Sequence, residues 1–289
     1  MASTQAIKQR IRSVKNTRQI TKAMQLVAAS KMRRAQEATK MSAPYTLAAR
    51  ELLTALSTHV AVKDRYPFVV RPVKTRLLIV IASDKGLAGA YNSNITRLYA
   101  NELKADDAAG IKNTTITIGR KAAQFAARIK DTEIIGTYEE LPDRPDGREL
   151  RAILDSVRTL FLNETVDAVD IIYTDFVNSI RQEATINRIL PAGFEPATEP
   201  DVAADVKYEP SPEEVVDGIV YRLVGAQIYQ SLLDARASEH SMRMMAMKNA
   251  TDNASDLVDD LTLEMNKARQ AAITQELAEI SGGVEALSE

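Results

Sequence analysis

The segment "SDKGLAGAYNSN" (83–94) combines Gly86 and Gly89 with polar side chains, just after the apolar run "LLIVIA" and just before a helical pattern. That is where a doubly wound α/β fold brings backbone N–H groups to a phosphate. The spacing matches neither G-x-G-x-x-G nor G-x-x-x-x-G-K-[ST], so a tight turn, with Asn92 or Asn94 capping the next helix, is the reading the residues favour. Three carboxylate pairs, Asp106-Asp107, Glu139-Glu140 and Asp259-Asp260, are candidates for acid–base work. Adjacent residues on a helix do not face each other, and none sits beside a nucleophile, so they read as solvated surface. "SEHSMRMMAM" (238–247) offers His240 and four methionines. A lone His reads as a hydrogen-bonding residue, and helical methionines read as adaptable packing rather than a soft-metal site. No cysteine is present, which removes thiolate catalysis, disulfides and cysteine-ligated metal. With His59 as the only other histidine, neither a metal nor a cofactor is expected.

The elements that must carry these residues are punctuated by glycine and proline. Neither occurs from residue 2 to 43 or from 226 to 281. Two long terminal helices therefore flank a middle of short elements. The first covers 1–60, with Ser3 or Thr4 as N-cap and Ser42-Ala43-Pro44 kinking or restarting it. Its apolar residues Ile7, Ile11 and Val14 recur at helical spacing, as do Ile20, Met24 and Val27, but the second set is out of register with the first. The apolar stripe changes face, so neighbours on more than one side are expected. The last helix, 212–289, begins at "EPSPEEVVDG" and runs to about Ser281. Its Gly/Pro-free part would extend ~84 Å at ~1.5 Å per residue, longer than a domain is wide. Its stripe is Met247, Ala250, Ala254, Leu257, Leu261, Ala268 and Ala271, followed by Ile273, Leu277 and Ile280.

Between the helices, 74–192 reads as a Rossmann-like domain with a mostly parallel five-stranded sheet. Its strands are "TRLLIVIAS" (75–83), "NTTITI" (113–118), "TEIIGTY" (132–138) and a closing hairpin, "AVDIIYTDFV" with "QEATINRILP". Helices follow from about Asn94, in "RKAAQFAARI" and at 147–164. The proline-rich stretch 193–211 is a surface loop.

Net charge is −2, but residues 1–40 carry ten Lys/Arg against Glu37 alone, and 226–289 carry eleven acids against five bases. The ends are complementary, which favours an antiparallel two-helix coiled coil. A basic helix can bind nucleic acid, but no aromatic residue precedes Tyr45 to stack on bases and the acidic end competes for the charge, so no nucleic acid is expected. No run approaches the ~20 apolar residues of a membrane span. The Arg-rich, acid-poor N-terminus also has the character of a mitochondrial transit peptide.

The residues carry a resemblance over essentially the whole chain. "IKQRIRSVKNTRQITKAMQLVAASKMRRAQ" and "SEHSMRMMAMKNATDNASDLVDDLTLEMNKARQAAITQELAEISGG", with "YEPSPEEVVDGIVYRL", are similar to the gamma-subunit family of F-type ATP synthases. That resemblance sets the transit-peptide reading aside, because the family motif occupies that segment. It implies a central rotor shaft without catalysis of its own. The implied partners are the alpha and beta subunits of the catalytic ring, an epsilon subunit and the membrane c-ring, at the cytoplasmic face of a bacterial inner membrane. Position by position, it implies contacts with beta-subunit loops for Met24, Lys31, Arg33, Arg34, Arg76, Arg243, Arg269, Gln270, Thr274 and Glu276. The rival readings are a nucleotide-using α/β enzyme with helical arms and a nucleic-acid-binding coiled coil.

Overall fold

A computed structural model describes residues 4–57, 64, 66–130, 132–143, 147–192, 209 and 211–288. His59 and nearly all of the proline-rich loop lie outside the described residues. The elements in chain order are α1 (Thr4–Ser57), β1 (Thr75–Ile81), α2 (Tyr91–Ala109), β2 (Lys112–Ile118), α3 (Arg120–Ala126), β3 (Glu133–Tyr138), α4 (Gly147–Leu162), β4 (Ala168–Phe176), β5 (Gln182–Leu190) and α5 (Pro212–Ser288). They divide into two compact units, Met1–Ala28 with Arg243–Glu289, and Ala29–Met242.

In the first unit, α1 and α5 lie antiparallel. Ile7 and Ile11 pack with Val258 and Leu261, and Val14, Met265 and Ala268 join them. Further along, the seam is polar: the hydroxyls of Thr21 and Thr251 lie 2.8 Å apart. Ala28 is buried as well. The inward series on α1 is therefore Ile7, Ile11, Val14, Thr21 and Ala28, which keeps its helical register throughout. The change of face expected at Ile20 is not a break in the seam. The seam continues through small and polar residues, while Ile20 and Val27 point outward, about 60 % exposed, and Met24 is half-buried. On α5 the inward series is Met247, Thr251, Ala254, Val258 and Leu261. Val258 takes the place expected for Leu257, which faces solvent, because the seam accepts a polar Thr251 that a purely apolar pattern skips.

In the second unit the sheet order is β3-β2-β1-β4-β5, parallel apart from β5, which pairs antiparallel with β4. The hairpin and the three βα repeats stand where the sequence pattern puts them. β1 is buried on both sides, which explains its unbroken aliphatic run. Leu77, Ile79 and Ile81 face a core shared with Leu53, Leu56, Phe161, Ile228 and Leu232, whereas Leu78 and Val80 face Ile95, Tyr99 and Leu103 of α2.

Three local expectations change. α1 does not restart at Pro44 but continues as one helix through it; Met41, Pro44 and Tyr45 are exposed, so water can take the carbonyl bond that proline cannot. α2 starts at Tyr91, preceded by Ala90 with no side-chain cap, so neither Asn92 nor Asn94 is a cap. α5 continues past Ser281, through Gly282 and Gly283, to Ser288.

Candidate functional surfaces

The glycine loop after β1 is built around Ser83 and Asp84. The Ser83 hydroxyl donates to the carbonyl of Lys85 at 2.7 Å, and Asn92 Nδ2 donates to that hydroxyl at 2.8 Å, which ties the loop to α2. Asp84 Oδ1 accepts the backbone N–H groups of Arg120 (3.0 Å) and Glu140 (3.1 Å), so one carboxylate joins the loops after β1, β2 and β3.

This is the carboxyl edge of the parallel strands, where doubly wound folds hold ligands. Here α5 is seated on it. Every residue from Ser231 to Ser241 is buried. Arg236 Nη2 lies 3.5 Å from Asp84 Oδ2 and donates to the Leu141 carbonyl at 2.9 Å; Nη1 donates to Glu239 at 3.0 Å. Burial opposes the Arg236 charge, and Glu239 and Asp84 outweigh it, so the guanidinium is held firmly protonated. Ser238 Oγ donates to the Thr174 carbonyl (3.1 Å) and Ser241 Oγ to that of Ser179 (2.8 Å). His240 Nε2 is 3.4 Å from Asp143, whose other oxygen takes Lys31 Nζ at 3.1 Å. Burial raises the Asp143 pKa, but Lys31 and His240 together bring it below the ordinary carboxylate range. The crevice that the nucleotide-enzyme reading requires is filled by the chain's own helix.

Two further polar sites were hidden in the sequence. Arg76, expected to meet a partner, is turned into the sheet against Asp170, Glu102 and Asp106. Its guanidinium is committed inside the unit because the neighbouring strand β4 carries, two register positions along from its own partner Ala168, the buried carboxylate of Asp170, which Arg188 also holds. Asp106 is correspondingly buried rather than solvated, and Glu139 and Glu140 both hold Arg120. Asp234 is a buried carboxyl with its pKa pushed up to about 7, chiefly by desolvation, with Gln230 opposing and Asp175 adding to the rise. It lines a cavity of about 670 Å³ between α1, the β4–β5 hairpin and α5, together with Lys40, Tyr173 and Gln230.

The remaining expected contact residues sort by unit. In the first, Arg269, Gln270, Thr274 and Glu276 are exposed on α5, and Thr274 Oγ1 donates to the Gln270 carbonyl at 2.9 Å. Met24 and Arg243 are half-buried there. Every residue from Arg269 to Ser281 is exposed, including Ile273, Leu277 and Ile280. In the second unit Arg33 and Arg34 are exposed and Lys31 is half-exposed beside Asp143. Among the described residues no group of His, Asp and Glu could hold a metal ion, and no helix is long and apolar enough to cross a membrane. Sequence reasoning missed Arg236, Ser238 and Ser241. The one signal for them was a mixed stretch, "DARASEHS" (234–241), with no clean polar face.

Comparison with known proteins bears on the whole chain. Residues 3–287 match the family model described as ATP synthase. The ATP synthase gamma chain of Opitutus terrae is 42 % identical over 298 residues, covering 97 % of each chain. That of Azoarcus sp. is 41 % identical over 99 % of this chain and all of its own. Among solved structures, a chain of the Tetrahymena thermophila mitochondrial ATP synthase central stalk and c-ring superposes with a TM-score of 0.61 at 26 % identity, covering 80 % of this chain and 99 % of that one. A chain of the Euglena gracilis mitochondrial ATP synthase, 18 % identical, shares the fold over 98 % of this chain and 94 % of its own, with a TM-score of 0.69.

Proposed function

The chain belongs to the ATP synthase gamma-chain family, and from that premise we propose that it is the central rotor shaft of a bacterial enzyme, without an active site of its own. In this reading the α1–α5 pair turns inside a ring of alpha and beta subunits. Proton flow through a membrane c-ring drives the rotation, and the asymmetry of the shaft takes each catalytic beta site through its conformations. The α/β unit meets an epsilon subunit and the c-ring, at the cytoplasmic face of the inner membrane.

One observation supports this most directly. The seam between the helices is satisfied by Ile7, Ile11, Thr21, Thr251, Val258 and Leu261, yet Ile20, Leu26 and Val27 on α1, and Ile273, Leu277 and Ile280 on α5, remain exposed. Apolar residues at these positions suit a shaft whose surroundings are protein rather than water. The beta-loop contacts are assigned to Met24, Lys31, Arg33, Arg34, Arg243, Arg269, Gln270, Thr274 and Glu276. Arg76 is left out of this set because its side chain is used internally.

The test is co-expression with the alpha and beta subunits of the same organism, scoring native mass and ATP hydrolysis. The expected result is a complex that contains this chain and hydrolyses ATP, while the chain alone does not. A chain that stays separate, or that hydrolyses ATP alone, overturns the reading.

A further inference from the structure

A shaft is useful only if its α/β unit turns with it, and directional polar contacts add to apolar packing a resistance to twist that the non-directional hydrophobic effect does not itself supply. The second unit meets this requirement with polar attachments. At about 100° per residue, Arg236 and His240 share one side of α5, while Ser241 and Ser238 lie roughly 140° and 200° around the axis from Arg236. The helix is therefore gripped from several azimuths within six residues. The grips reach the loop after β1 (Asp84), the segment after β3 (Leu141 and Asp143), the end of β4 (Thr174) and the β4–β5 turn (Ser179). Arg236 is suited to the central place because its planar fork of donors engages several acceptors at once and stays charged when buried.

We propose that the seating of α5 on the carboxyl edge of the sheet, centred on Arg236 and Asp84, is a torsional latch that makes the α/β unit rotate rigidly with α5. The ligand crevice of the doubly wound fold has become a keyed socket for the chain's own helix. Arg236 and Asp84 are positioning residues: they touch no nucleotide and act by fixing the azimuth of α5. This inference rests on the rotor reading and adds to it the place where twist passes between helix and sheet.

The test uses the complete enzyme in membrane vesicles, with ATP hydrolysis and ATP-driven proton pumping measured on the same preparation. Arg236→Met keeps the stem and removes the polar grips. Asp84→Asn is milder, keeping an oxygen for the Arg120 and Glu140 N–H groups while losing the charge. Both variants are expected to hydrolyse ATP near the wild-type rate, with the chain present in normal amount, but to pump several-fold fewer protons per ATP. Since the chain has no cysteine, Ser179→Cys with Ser241→Cys introduces a single thiol pair where the Ser241 hydroxyl reaches the Ser179 backbone carbonyl. Oxidising that pair in the Arg236→Met background is expected to restore pumping, and reduction to abolish it again. If Arg236→Met fails to assemble, Asp84→Asn decides by the same ratio. Wild-type pumping per ATP in the variants, with normal wild-type coupling, overturns the latch and leaves the rotor reading standing. Failure of the wild-type chain to couple hydrolysis to pumping overturns both.

Discussion

Arg76 on β1 and Asp170 on β4 form a buried ion pair across adjacent parallel strands, with Arg188 of β5 holding the other carboxylate oxygen. Glu102 and Asp106 of α2 close on the same guanidinium, at 3.0 Å each. The network joins three strands and a helix on one face of the sheet. It ties these elements of the α/β unit together.

Removing Arg76 leaves Asp106 and Asp170 buried with too little counter-charge. Arg76→Met is therefore expected to destabilise the chain by about 3–5 kcal/mol, the usual cost of breaking a buried pair from one side. Urea unfolding followed by circular dichroism checks this. A loss below about 1 kcal/mol would place Arg76 among ordinary surface ion pairs.

Gly119, between β2 and α3, has φ of +92°, and a Cβ there would lie 2.1 Å from the Ala82 carbonyl oxygen. Backbone on backbone cannot yield as a side chain tip does. Gly119→Ala is expected to cost about 3 kcal/mol or more, combining strained backbone with overpacking. Thermal unfolding of the variant against wild type reads it directly.

Asp234 carries a pH signature. Its folded pKa of about 7 lies well above the ordinary carboxylate value, so between these pH values the folded state binds more protons than the unfolded. Stability therefore falls as pH rises from about 4 to about 7 and the penalty is complete above that range, up to about 4 kcal/mol for a shift of this size. Asp234→Asn removes the penalty and still accepts from Gln230. The variant is expected to be more stable than wild type at pH 8 and equal to it near pH 4, measured by urea unfolding at both.

The seam makes a paired prediction for the helix unit. Leu261→Ala, in the core with Ile7, Ile11 and Val258, is expected to cost about 2 kcal/mol, at the low end for leucine because the cluster is small. Leu257→Ala, one turn away and facing out, is expected to change stability by less than about 0.5 kcal/mol. Chemical unfolding of the two variants side by side distinguishes the seam face from the outer face.

Arg269 and Gln270 are exposed, so the double substitution to alanine is expected to leave stability within about 0.5 kcal/mol of wild type. ATP synthesis by the reconstituted enzyme is expected to fall several-fold. Unchanged synthesis removes these two residues from the proposed beta-contact set.

Much of this protein was decided locally and could be read from the chain. Residue-level periodicity and the Gly/Pro punctuation set the two long helices, and unbroken or alternating apolar runs set the strands. The α/β pattern ending in a hairpin set the mostly parallel sheet, and opposite charge at the two ends favoured the antiparallel pair. Tertiary structure decided what needs a second element. Thr21 and Ala28 carry the helix seam although neither is a strong apolar signal, because close helix packing tolerates small and hydroxyl side chains that a hydropathy pattern skips. Asp106, Asp170 and Asp234 look alike in sequence, and only the elements packed around each one set its fate. The first two are held by arginines, whereas Asp234 lies buried beside Gln230 with another carboxylate, Asp175, near it. Arg236 lies far from Asp84 along the chain, and no spacing rule links them. Their meeting exists only because the fold lays α5 across the ends of the strands.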